Sequence, residues 1–256
     1  MSDSQITIDG FNLSRFSSGR LECLGAGGFG VVLKAAAAAD GACAALKLVI
    51  CKTPHNLQGA RMEQILHELP EHQNVVKLFS FSEHAADSTC FSHSGTLMHE
   101  IRVICRELMK QGLPCPEKLL SPAAGDIYCV LAFELAGAQD MMSWYEGYHD
   151  AGDVPPDDKL RMVATQQASA LAHLHANGIV HHDFKAENIA ITTSGMGVTT
   201  KLIDFGLSRR AADGHPSFTG SMGCAAPEMW HPATYTGSPA DVFSYGGAPP
   251  AHALCS

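Results

Sequence analysis

A glycine-dense turn flanked on both sides by apolar, β-branched residues limits the folds open to this chain. Residues 21–34 read LECLGAGGFGVVLK, in which Gly25, Gly27 and Gly30 fit G-x-G-x-x-G. A dinucleotide-binding βαβ unit would need a helix to open directly after the glycines. Val31, Val32 and Leu33 follow instead, so the stretch predicts a hairpin of two strands. Glycines leave backbone N–H groups free to approach an anion such as a phosphate, and they admit positive φ in the turn.

Polar groups set against apolar runs occur further along. The strand candidate 42–50 (ACAALKLVI) carries one lysine, Lys47. An ammonium in such a run either snorkels to the strand edge or meets an anion, because burying it alone is costly. Residues 61–69 have helical character, ended by Pro70, and offer Glu63 and Glu68 as carboxylate partners. The set HHDFKAEN at 181–188 reads H-x-D-x-K-x-x-N and follows the apolar run 178–180. An acid, a cation and an amide within six residues suit the positioning of a hydroxyl, a phosphate and a metal ion.

Strands are expected at 75–81 and 127–135. Between them, residues 82–126 form an insertion with its own helix at 96–111, whose apolar face is Leu97, Ile101, Ile104 or Cys105, and Leu108. Gly112 and Pro114 terminate that helix, and a turn follows at 121–126. The insertion reads as a surface addition packed on one lobe rather than a regulatory arm. A helix starts at 141–145, an acidic loop spans 150–158, and a helix covers 160–177 with Gly178 as its cap. Short strands at 189–191 and 201–203 flank a turn at 192–198, the second ending on Asp204-Phe205-Gly206.

Composition removes several classes of function. The 256 residues suffice for one large domain or two lobes, and 46% hydrophobic with 17% charged residues fits a globular chain. A net charge of −9 argues against nucleic acid as the main partner, since phosphate backbones need clustered cations. Nine cysteines without a C-x-x-C pair suggest neither a zinc ribbon nor a disulfide framework, and point to reduced thiols in a cytoplasmic protein. The polar start lacks a signal peptide, and no apolar run reaches the roughly 18 residues of a membrane span. The fourteen histidines are scattered without H-E-x-x-H, so His72, His173 and His175 make no metal centre.

Taken in order, these pieces resemble the eukaryotic protein kinase catalytic domain over about residues 21–246. The resemblance implies an α+β, two-lobed fold. A leader (1–20) precedes a small β-rich N-lobe with helix C (21–135), then an incomplete, mostly helical C-lobe (136–246) and an aberrant tail (247–256). It implies that Gly25, Ala26, Gly27, Gly28, Phe29 and Gly30 cover ATP phosphates, with Val32 and Ala45 also in the nucleotide site. Lys47, in a stretch like V-A-I-K, would bind the phosphates. Glu63 becomes its partner because HQNVV at 72–76 follows at the family's spacing. Phe133 falls at the gatekeeper position, and Glu134 and Ala136 at the hinge that meets adenine.

The same resemblance makes Asp183 the acceptor of the substrate hydroxyl proton and puts Lys185 on the transferred phosphoryl group. Asn188 and Asp204 would hold Mg2+. Lys185 two residues after the aspartate is similar to the serine/threonine kinases, in which Ser221 would brace the catalytic loop. Ala226-Pro227-Glu228 matches A-P-E, and residues 241–246 resemble D-V-W-S-x-G. The implied function is ATP- and Mg2+-dependent phosphoryl transfer to Ser/Thr hydroxyls of protein substrates.

Four departures stand out. His182 replaces the arginine that normally pairs with a phosphorylated activation loop, so modification there should matter less; Ser217 and Thr219 are the positions to test. His67 takes the place of an apolar spine residue. The insertion is not typical. Finally, Gly247-Ala248-Pro249-Pro250 breaks helix F, and no Lys or Arg follows Arg210 to pair with Glu228. The apolar helices, 160–177 included, would then lose cover. That ending supports an alternative reading, an ATP-binding pseudokinase or scaffold, or an inactive truncated fragment.

Overall fold

Along the strand that follows the glycine turn, Gly30–Ala37, and its neighbour Cys43–Cys51, buried and half-buried residues alternate with period two, and this sorts the first unit into layers. The computed structural model describes residues 5–28, 30–86, 96–195, 197–213, 220–221, 223–230 and 237–248. It falls into two units, one of Met1–Gln64 with Leu78–Leu135, the other of Ile65–Lys77 with Ala136–Ser256.

The first unit holds β1 (Thr7–Ile8), β2 (Phe11–Leu13), β3 (Cys23–Ala26), β4 (Gly30–Ala37), β5 (Cys43–Cys51), β6 (Leu78–Ala85) and β7 (Ile127–Glu134). They form an antiparallel sheet in the order β1-β2-β4-β5-β7-β6, with β3 pairing β4. Its helices are α1 (Pro54–Met62), α2 (Leu97–Lys110) and α3 (Glu117–Leu120). Val31, Leu33 and Ala35 of β4 and Ala44, Leu46, Leu48 and Ile50 of β5 form one core with Met98, Ile101, Ile104, Cys105 and Leu108 of α2. The insertion helix therefore covers one face of the sheet, and Thr96 caps it by accepting from the His99 amide at 3.3 Å. Val32, Ala45 and Lys47 are turned to the other face.

Three expectations change here. The leader is part of the sheet: Ile6, Ile8, Phe11 and Leu13 join the core through the β1–β2 hairpin. The helix expected at 61–69 lies earlier, at Pro54–Met62, and tightens to a 3-10 turn over Glu63–His67. Thr53 caps it by accepting from Asn56, and Pro54 suits its first turn; a start set by capping left little apolar periodicity to read. The strand expected at 75–81 runs from Leu78 to Ala85, and residues 65–77 belong to the second unit.

The second unit comprises β8 (Gln139–Asp140), α4 (Met141–Asp150), α5 (Asp157–Ala176), β9 (Ile179–Val180), β10 (Ile189–Ser194), β11 (Gly197–Leu202), β12 (Arg209–Arg210) and α6 (Gly237–Gly247). Two small sheets, β11-β10-β8 and β12-β9, pack with α5, which runs along β11 and against α6. Gly178, at φ +70°, takes the left-handed conformation that ends α5. The turn expected at 192–198 is a tight hairpin, with pairing carried out to Ser194 and Gly197. Leu160, Val163, Leu171 and Leu174 of α5 keep their cover, while Met162 of the same helix and Val242 and Phe243 of α6 are exposed.

Candidate active site

In the first unit the glycine turn projects between β3 and β4, closed by the Gly27 amide donating to Gly30 O at 2.9 Å. A Cβ added at Gly25, Gly27 or Gly28 would meet nothing within 4 Å, so protein packing does not demand glycine there. Gly30 differs: its Cβ would lie 2.3 Å from the Leu48 carbonyl of β5. The positive φ expected of the turn is absent at all four glycines, whose value is close backbone approach rather than left-handed geometry. Ala26 is exposed beside them, and Phe29 lies outside the described residues.

Lys47 sits opposite Val32 on one side and Leu131 on the other. Its Nζ lies 2.8 Å from Glu63 Oε1, and Glu63 is 2% exposed. The pairing resolves the choice between carboxylates, because Glu68 meets Arg210 within the second unit. Ala45 pairs with Phe133, a buried residue near the end of β7, and Glu134 closes that strand opposite Ala44. Ala136 belongs to the second unit.

There, residues 181–188 form a closed polar network. Asp183 Oδ2 lies 2.9 Å from Lys185 Nζ and accepts from Asn188 Nδ2 at 2.9 Å, while Ser221 Oγ donates to Oδ1 at 2.9 Å. Lys185 Nζ in turn donates to Ser221 Oγ at 2.7 Å. Burial pulls the Lys185 ammonium down, but Asp183, with Glu187 and Asp204 nearby, outweighs it and holds the group above its usual value. The Ile203 amide donates to Asn188 O at 2.9 Å, which sets Asp204 beside the loop in the left-handed region, at φ +61°. Phe205 packs edge-on to His181, with centroids 5.0 Å apart.

The contacts that make two supports were not legible in the sequence. Asp241 of α6 accepts from the amides of His181 and His182, both at 2.8 Å, and from His175 Nε2 at 2.9 Å. Burial pushes its carboxyl up, but the His175 hydrogen bond, the His181 ring and the two amides outweigh that and hold it below the usual carboxylate value. Gly220, at φ +107°, passes so close that a Cβ would stand 2.5 Å from His182 O. The separation of D-V-F-S-Y-G from the loop, about 60 residues, hid the first; an isolated glycine carried no signal for the second.

The departures are also placed. His182 is buried at φ +65°, its Nδ1 3.2 Å from Leu207 O. His67 is exposed, and Glu228 is half-buried. Ser217 and Thr219 lie outside the described residues. Among those described, no helix is long and apolar enough to cross a membrane, and no group of three His, Cys, Asp or Glu is set to hold a metal ion.

Comparison with known proteins matches residues 19–248 to the protein kinase domain. Serine/threonine-protein kinase PSK2 of Saccharomyces cerevisiae is 30% identical over 179 residues, 69% of this chain and 16% of its own length. Protein kinase kin1 of Schizosaccharomyces pombe is 41% identical over 92 residues, 35% of this chain and 10% of its own. Testis-specific serine/threonine-protein kinase 5 of Mus musculus is 34% identical over 121 residues, 45% of this chain and 32% of its own. The matches cover only 10% to 32% of these relatives' length. With the family match taking in the glycine turn, the Lys47–Glu63 pair and the Asp183 network, the chain belongs to the protein kinase family, on its serine/threonine side.

Proposed function

We propose that this chain transfers the γ-phosphoryl group of ATP to Ser/Thr hydroxyls of protein substrates. The observation that carries the reading is the intact Asp183–Lys185–Asn188–Ser221 network. Such a network has no evident structural need of a carboxylate, an ammonium and an amide together. Phosphoryl transfer asks the protein for positioning and charge neutralisation more than for covalent chemistry.

Each group has work it can do. The exposed, side-chain-free backbone of Gly25, Gly27 and Gly28 can approach the phosphates. Lys47, held by Glu63, presents its charge to the same phosphates. Asp183 accepts the hydroxyl proton, and Lys185, kept protonated by its carboxylate neighbours, faces the charge on the transferring group. Asn188 commits its Nδ2 to Asp183, leaving a hard amide oxygen, and Asp204 adds an exposed carboxylate. Oxygen donors of this kind fit Mg2+, which when bound would neutralise phosphate charge. An ATP-rich compartment, the cytoplasm, follows from the same proposal.

The test is transfer of labelled phosphate to a generic protein substrate. The expected result is activity that Asp183→Asn reduces by roughly 10²–10⁴-fold in kcat with little change in KM for ATP. Binding of Mg-ATP without transfer by the unaltered chain would sink the catalytic reading in favour of a scaffold.

A further inference from the structure

Segment 96–126 forms ion pairs with the rest of the first unit at two points, and each lies where the chain enters an element that leads to a nucleotide-binding group. The first point is Arg15. It stands in a tight hairpin, bridged to Leu21 and closed by the Phe16 amide on Arg20 O at 2.9 Å, that leads into β3 and the glycine turn. Its guanidinium meets Glu107 of α2 as a fork, with Nη1–Oε2 at 2.6 Å and Nη2–Oε1 at 3.1 Å, and Nη1 also donates to Gly19 O at 2.7 Å. The second point is Lys52, between β5 and the cap of α1. Its Nζ donates to Ser121 O at 2.6 Å and lies 3.2 Å from Oδ2 of the buried Asp126. Asp126 is itself fixed, accepting from the Ala123 amide at 2.8 Å.

The platform behind these contacts is packed into the core. Five residues of α2 are buried in the core, and Tyr128 OH donates to Leu119 O at 2.6 Å beside α3. Gly25, Gly27 and Gly28, by contrast, offer no side chain to anchor the turn, which is set at its base by β3 and β4. A bidentate Arg–carboxylate pair fixes an angle that a point charge would leave loose.

We propose that segment 96–126 is a positioning element for ATP binding, aligning the glycine turn through Arg15–Glu107 and the Lys47–Glu63 pair through Lys52–Asp126. The inference rests on the reading of this unit as the ATP-binding one. These residues touch no reacting atom, so their loss should weaken nucleotide affinity without slowing the chemistry.

The experiment compares the unaltered chain with Arg15→Glu, Glu107→Arg, the double swap and Lys52→Met, measuring KM for ATP, kcat and Tm. Each single change is expected to raise KM for ATP roughly three- to tenfold with kcat held within about twofold, and the swap to recover most of the loss. Glu107→Gln keeps the test usable if a reversed charge unfolds the chain. Unchanged KM with a lowered Tm, or a swap no better than the singles, would overturn the proposal and assign the contacts to stability alone. An unaltered chain that binds no Mg-ATP would overturn the proposed function itself and this inference with it. Binding by the unaltered chain with indifferent variants overturns only the inference.

Discussion

Gly25, Gly27 and Gly28 make no contact that a Cβ would disturb, whereas Asp183, Lys185 and Asn188 are all tied to one another or to Ser221. One region is shaped by leaving side chains out, the other by joining an acid, a cation, an amide and a hydroxyl into one network. On the proposed function, the contrast follows from what each would meet. A polyphosphate is large and multiply charged, and backbone amides can follow it only where nothing projects. A single proton and phosphoryl group must be met at fixed points, which calls for charges oriented before the substrate arrives. Gly30 belongs to neither class: it is glycine because β5 lies against it, a packing demand that Gly25, Gly27 and Gly28 do not share.

The connected region should break hardest, and from below. Asp241→Ala removes the acceptor for two amides and His175 in a buried place, so a loss of roughly 3–5 kcal/mol in unfolding free energy is expected. Thermal denaturation of the variant measures it, and a Tm within a degree or two of the original would mean the loop stands without its floor.

The glycine turn sharpens the comparison at smaller cost. Gly30→Ala drives a Cβ onto a backbone carbonyl and should destabilise by roughly 1–3 kcal/mol. Gly25→Ala and Gly27→Ala meet open space without positive φ, so stability should stay within about 0.5–1 kcal/mol while KM for ATP rises. Denaturant melts together with ATP titrations separate the two outcomes. A stability loss at Gly25 equal to that at Gly30 would erase the distinction drawn between them.

What the sequence made legible follows the same divide. Local signals reported local structure: the periodicity of α2, the strand carrying Lys47, and the order of groups from Asp183 to Asn188 all appear where spacing put them. Contacts closed over long separations did not show in local spacing; the Ser221 contact with Asp183 and Lys185 was expected only through the family resemblance. The β1–β2 hairpin reads as leader because two short strands carry little pattern, and its core residues are recognisable only once β4 lies beside them. The start of α1 is set by Thr53 and Pro54 rather than by an apolar stripe. Asp241 could be matched to a motif, yet its role depends on two amides and an imidazole that approach from elsewhere in the unit.

The smallest effect separates the electrostatic role of Asp241 from its part as a packed acceptor. Its carboxyl is held below the ordinary value of 3.8 in the folded chain, so the unfolded chain binds the proton more readily. The stabilisation is therefore fully present above the unfolded value and is lost as pH falls through the depressed folded one, a window lying below about pH 4. Asp241→Asn keeps an accepting oxygen for one of the two amides, which bond separate carboxylate oxygens, and cannot titrate. Its Tm should fall less steeply than that of the unaltered chain between about pH 4 and pH 2, with the two curves converging toward the acid end. Parallel curves over that interval would show that the network holds the loop through hydrogen-bond geometry, with no contribution from the charge.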